Sequence, residues 1–150
     1  MRQVDLGSSL GYLLKQASSA LHDSMEAVLR PLGMTITEYS CLELLAQRPG
    51  MSNSELARGA FVSRQAMNVV LRSLEARDLV VRPERAPSGR ALPTELTARG
   101  RELLRSASAA VRAVEDRMKA GLSPDRQDTL RDLLGSCIRS LGANEVDADS

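Results

Sequence analysis

The stretch from Ser52 to Arg90 limits the fold of this chain more than any other feature. It sets two helix starts close together and follows them with two β-prone runs joined by a turn. Ser52 is an N-cap: its hydroxyl can accept from an otherwise unpaired N–H of the first turn. Glu55 lies three residues on and can reach back to the Ser52 N–H, completing a capping box. The helix so started should be short and end near Gly59, a residue that accepts the left-handed conformation many helix ends need. Ser63 is a second N-cap. Beyond it Met67, Val70, Leu71 and Leu74 recur at helical spacing as one apolar stripe, which leaves Arg64, Gln65, Asn68 and Arg72 on the opposite, solvent-facing side.

Those outward residues carry chemistry suited to a major groove. Arg can pair bidentately with guanine, and Asn or Gln with adenine. Ser, Arg and helix N-termini supply phosphate contacts. A helix offering Ser63, Arg64, Gln65, Asn68 and Arg72 on one side is therefore equipped to read duplex DNA. Taken alone, the same pattern fits an ordinary amphipathic helix with a solvated polar face. The next segment favours the first reading. Leu79 to Arg82 is β-prone, Ser88-Gly89 supplies turn chemistry, and Leu92 to Leu96 can return as the second strand. Pro83 and Pro93 confine the pair to an edge or to strand ends. Arg85, Ser88 and Arg90 then sit around the tip of a wing, where arginines can enter a minor groove or hold the phosphates beside it. Between Arg58 and Arg90 the arginines at 58, 64, 72, 77, 82, 85 and 90 outnumber Glu75, Asp78 and Glu84. The window is locally basic although the whole chain carries a net charge of only +1.

Helix, turn, helix, then Leu74-Glu75-Ala76-Arg77-Asp78-Leu79-Val80, an arginine-bearing wing and Leu96-Thr97-Ala98-Arg99-Gly100, resembles the MarR family of winged-helix transcriptional regulators. The resemblance runs from the first helix to the last, and Leu74 to Gly100 is its more specific part. It implies a mainly α fold of about six helices with a small β-hairpin wing. It also implies a homodimer, built by the N- and C-terminal helices, that binds double-stranded DNA as a repressor. Three positions depart from the family pattern. Asp78 stands for the usual Gly after the second helix, and Asp tolerates the left-handed conformation better than most residues. Ser88 stands where an Asp would orient the wing arginine or pair with Arg77, and Val69 stands where a basic residue is common.

The remaining sequence is consistent with that architecture. A chain of 150 residues that is 43% hydrophobic can build one domain with a real core. Aromatics are only 2%, so the core must be Leu, Val, Ala and Met, which suits packed helices. The same scarcity argues against single-stranded nucleic acid, which needs aromatic platforms. The apolar positions from Leu6 to Leu29 follow a helical period, closed by Pro31 and Gly33. Thr35 has capping-box spacing to Glu38, whereas the family comparison favours Thr37, for a helix reaching about Gln47. Met51 could add a short strand beside the wing. Thr97 should cap a long helix to about Ala120, with Leu103, Leu104, Ala107, Val111, Val114 and Met118 inward. Ser123-Pro124-Asp125 restarts the chain into a last helix carrying Leu130, Leu133, Leu134, Cys137, Ile138 and Leu141. We expect a winged lobe over 35–100, dimerisation helices over 5–30 and 101–142, and a disordered acidic tail over 143–150. Apolar faces on both terminal helices should intertwine with those of a second copy, setting two recognition helices about one DNA turn (~34 Å) apart.

Several chemistries find no support. His22 is the lone histidine, so a serine or cysteine has no base of the usual kind. There is no Gly-rich phosphate loop and no acidic metal cluster, and Cys41 and Cys137 lie far apart without a CxxC motif. Neither enzymatic activity nor a metal or other cofactor is expected. No signal segment or long apolar run is visible, so a cytoplasmic protein with reduced thiols and no membrane partner is expected. The resemblance implies room for a small aromatic or phenolic effector between the first helix, the second and the start of the fifth; His22, Met25 and Tyr39 are the candidate residues, and each taken singly also fits an ordinary core or interface position. Two other readings stay open: a winged protein-docking module without DNA binding, and a thiol sensor acting through Cys41.

Overall fold

The computed structural model describes residues 2–82 and 93–142. Its order is α1 (Leu10–Leu29), a 3₁₀ turn (Arg30–Leu32), α2 (Ile36–Gln47), α3 (Asn53–Gly59), α4 (Arg64–Ala76), β1 (Val80–Val81), β2 (Glu95–Leu96), α5 (Ala98–Lys119) and α6 (Pro124–Ser140). The strands pair antiparallel, with Val80 opposite Leu96 and Val81 opposite Glu95. The chain divides into two compact units, one through Val114 and one from Glu115.

Local hydrogen bonding sets most of the helix starts. Ser52 and Glu55 form the expected capping box, and Thr35 and Glu38 form another, which settles the start of α2 on Thr35 rather than Thr37. Ser63 and Ser123 cap α4 and α6 through their hydroxyls. The first helix begins at Leu10, later than the apolar period suggests. Asp5 accepts from the Gly7 N–H and the Ser8 hydroxyl, both at 3.1 Å, and this local turn competes with helix. Ser9 then caps α1 by accepting from the Tyr12 N–H.

Within the first unit, Leu29, Leu42, Leu56, Met67, Leu71, Leu74 and Val80 form the most deeply buried part of the core. Two glycines allow close approach. A Cβ on Gly59 would lie 2.9 Å from Leu44 Cδ1, so its absence lets α3 close onto α2. A Cβ on Gly100 would lie 2.0 Å from the Leu79 carbonyl oxygen. There the Thr97 N–H donates to Leu79 O at 3.1 Å and the Thr97 hydroxyl donates to Asp78 O at 2.7 Å. The same hydroxyl accepts from the Gly100 N–H at 3.0 Å, so one threonine caps α5 and ties it to the residues leading into β1.

Three expectations are corrected. Met51 is buried but belongs to no strand; its side chain fills core space without ladder pairing. Met118, assigned inward from its spacing, is exposed on the last turn of α5, where the buried stripe has ended at Val114. The left-handed residue after α3 is Phe61 (φ 60°), not Gly59. Asp78 does adopt the left-handed conformation expected of it (φ 60°). In the second unit α6 buries none of its residues, and Leu130, Leu133, Leu134 and Ile138 all face outward. The wing tip and the tail over 143–150 lie outside the described residues, and so do the expectations for Arg85, Ser88 and Arg90.

Candidate nucleic-acid interface

The two faces of α4 divide as its spacing requires. Met67, Leu71 and Leu74 are buried and Val70 packs partly against them. Arg64, Gln65 and Arg72 are exposed, and neither arginine makes an ion pair among the described residues. Ser63 Oγ accepts from the Ala66 N–H at 3.0 Å. Its proton remains available to an outside acceptor such as a phosphate. Asn68 is half-buried, and its Oδ1 accepts from Asn53 Nδ2 at 3.0 Å. That bond fixes the amide and leaves Asn68 Nδ2 to donate, so the favoured outside partner is an acceptor edge such as guanine O6/N7 or thymine O4. Val69 is 62% exposed beside them, an apolar side chain on a polar face.

The electrostatics differ from the sequence count. Arg77 is not an outward charge: its Nη1 donates to Glu38 Oε2 at 2.8 Å, and the Glu38 side chain is only 10% exposed. Glu38 Oε1 meanwhile accepts from the Thr35 N–H at 3.0 Å. Glu38 thus supplies the carboxylate partner for Arg77 that the wing lacks at Ser88. Arg82 approaches Glu75 at 3.7 Å. Among the described arginines of that count, Arg58, Arg64 and Arg72 are exposed and make no ion pair with a described residue.

The turn into α4 is tight. Ala60 N–H donates to Leu56 O, Phe61 N–H to Arg58 O and Val62 N–H to Ala57 O. Phe61 occupies this turn at φ 60° with 95% of its surface exposed. A left-handed backbone costs a side-chain-bearing residue about 1–2 kcal/mol, and no burial of the ring offsets it. Sequence reasoning passed over this residue because Gly59 is the more obvious left-handed candidate.

His22, Met25 and Tyr39 differ in their surroundings. His22 lines a shallow groove of about 400 Å³ with Glu26, Arg30 and Met34–Thr37. Met25 packs partly against the core. Tyr39 is buried and its hydroxyl donates to Glu43 Oε2 at 2.6 Å. A larger open groove of about 840 Å³ lies along the N-terminal half of α5, between the end of α2 and residues 93–96, with Arg101, Arg105 and Arg112 on its wall. The helical spacing of those arginines was the one signal that could have indicated it. His22, Asp23 and Glu26 bring ligand atoms within 4.8 Å of one another, but all three are exposed side chains of one helix.

The thiols separate clearly. Cys41 is fully buried, and burial, with the nearby Glu38 charge adding to it, pushes its pKa up to about 12. A thiol buried in this way is a poor nucleophile, and its burial weighs against sensing through Cys41. Cys137 is exposed. Among the described residues no helix is long and apolar enough to cross a membrane.

Comparison with known proteins places this geometry. The MarR family model matches residues 32–91. The HTH-type transcriptional repressor Rv2887 of Mycobacterium tuberculosis is 48% identical over 125 residues, covering 83% of this chain and 90% of that protein. The solved structure of the M. tuberculosis MarR family protein Rv2887 with DNA has 44% identity and a TM-score of 0.73, covering 87% of this chain and 98% of that one. The structure of Rv2887 with salicylic acid has 46% identity and a TM-score of 0.74, covering 87% of this chain and 96% of that one.

Proposed function

The chain belongs to the MarR family, and from that premise we propose that it is a sequence-specific repressor that binds double-stranded DNA as a two-fold dimer. The observation that carries the reading is α4: a buried Met67–Leu71–Leu74 stripe turns Arg64, Gln65 and Arg72 outward with no internal ion pair among the described residues. Ser63 and the start of α4 suit a phosphate, Asn68 and Arg72 suit base edges, and the sequence supports Arg85, Ser88 and Arg90 as wing contacts. The lobe over 35–100 is the DNA-binding part in this reading. Pairing falls to the helices over 5–30 and 101–142. Leu10, Leu13 and Leu14 on α1, and Leu130, Leu133 and Ile138 on α6, are exposed apolar side chains that a second copy would cover.

Release by a small aromatic or phenolic acid is part of the same proposal, supported by the salicylic acid named in the relative's structure. Such a ligand would act by favouring a dimer shape with the wrong helix spacing. The arginine-walled groove along α5 offers a carboxylate partner, and the His22 groove is the second candidate.

The test is selection of genomic fragments by the purified protein, followed by affinity measurements at two salt concentrations. The wild type should select a pseudo-palindrome. Arg72→Ala should bind it with a loss of about 1–3 kcal/mol and relaxed preference. A dimer that retains no duplex even at low salt would instead support a protein-docking module.

A further inference from the structure

Phe61 is a side chain at this interface whose placement the folded monomer does not repay. Its backbone is left-handed, its ring is 95% exposed, and glycine would satisfy the turn without strain. The turn's hydrogen bonds run through backbone atoms of Leu56, Ala57 and Arg58, so none needs the ring. Phe61 also stands two residues before the Ser63 cap, at the end of α4 that carries Arg64 and Gln65. In a helix-turn-helix the first helix crosses the sugar-phosphate backbone and the N-terminal residues of the second meet base edges. The turn between them therefore lies at the mouth of the major groove. Phosphates and most base-edge atoms there are polar; the apolar group the groove presents is the thymine C5-methyl, which Phe is suited to contact.

We propose that Phe61 is a specificity residue whose ring packs on a thymine methyl in each operator half-site. The inference rests on the DNA-binding reading above and is continuous with the α4 face that carries it. It assigns an apolar contact to a surface whose other named contacts are polar.

The experiment compares wild type, Phe61→Gly, Phe61→Leu and Arg72→Ala on the selected operator, and on the same operator with each thymine replaced in turn by deoxyuridine. Phe61→Gly should melt at or above the wild-type temperature and remain a dimer, yet bind the operator about tenfold more weakly. Phe61→Leu should retain part of the affinity. One uracil replacement per half-site should weaken the wild type by a similar factor and leave Phe61→Gly unaffected. The inference is overturned if Phe61→Gly binds like wild type while Arg72→Ala does not. It is also overturned if wild type ignores every uracil replacement, or if Phe61→Gly melts lower or loses the dimer, since the ring would then serve the fold. Wild type that binds no duplex at low salt fails the reading beneath it, a distinguishable result.

Discussion

Gly100→Ala is the substitution on which helix propensity and packing disagree most sharply. By propensity alone an alanine replacing glycine inside a helix adds about 1 kcal/mol of stability, and Gly100 lies in the first turn of α5. The packing says otherwise. The added Cβ would stand 2.0 Å from Leu79 O and 3.0 Å from Leu79 C. Both belong to the backbone, so no side-chain rotation relieves the clash. The carbonyl already accepts from the Thr97 N–H at 3.1 Å, so moving it strains that bond as well. Overpacking typically costs about 1–3 kcal/mol, and a strained hydrogen bond adds about 1 kcal/mol. Set against the propensity gain, the net expectation is a loss of about 1–3 kcal/mol, or a melting temperature lower by about 2–12 °C. Urea unfolding followed by far-ultraviolet circular dichroism, at matched protein concentration, measures it. Gly121→Ala is the control: nothing lies within 4 Å of its Cβ position, so that variant should be neutral or slightly stabilising. A Gly100→Ala midpoint at or above wild type would refute the packing argument.

Other outcomes follow from single contacts. Glu38→Ala removes the Arg77 ion pair and half of the α2 capping box, and should lower stability by about 2–3 kcal/mol in the same assay. With an aromatic disulfide reagent, Cys41 should stay unreactive in the native protein and label only on unfolding; rapid labelling of native Cys41 would contradict its burial. Glu55 has its pKa lowered by the Ser52 side-chain and backbone hydrogen bonds, with Arg58 adding to them. A lowered folded-state pKa gives stability that is full above the unfolded value and lost as pH falls through the folded one. The stability gap between wild type and Glu55→Gln should therefore hold at neutral pH and close on acidification below the ordinary carboxylate range; a gap that widens there would be contrary.

Much of this was legible because caps and amphipathic stripes are local. Thr35–Glu38, Ser52–Glu55, Ser63 and Ser123 each act within their own first turn, and the stripe of α4 depends only on its own period. What escaped notice depends on distant partners. Gly59 stays within α3 and the left-handed turn falls two residues later, on Phe61. Arg77 counts as a free charge until Glu38, 39 residues away, is seen to neutralise it. Asn53 orients Asn68 across 15 residues, and no spacing rule announces that. The stop of the α5 stripe before Met118 was likewise invisible to periodicity, which carries no information on where a core ends.

Glu38 has divided its two oxygens between separate parts of the molecule, one on the threonine that opens α2 and one on the arginine that closes α4. A carboxyl group is planar and stiff, so it cannot swing toward one partner without leaving the other. The entry to α2, whose residues also wall the His22 groove, is thereby jointed to the foot of the reading helix. Loss of the Glu38 carboxylate would therefore be felt at the start of α2 and at the end of α4 together.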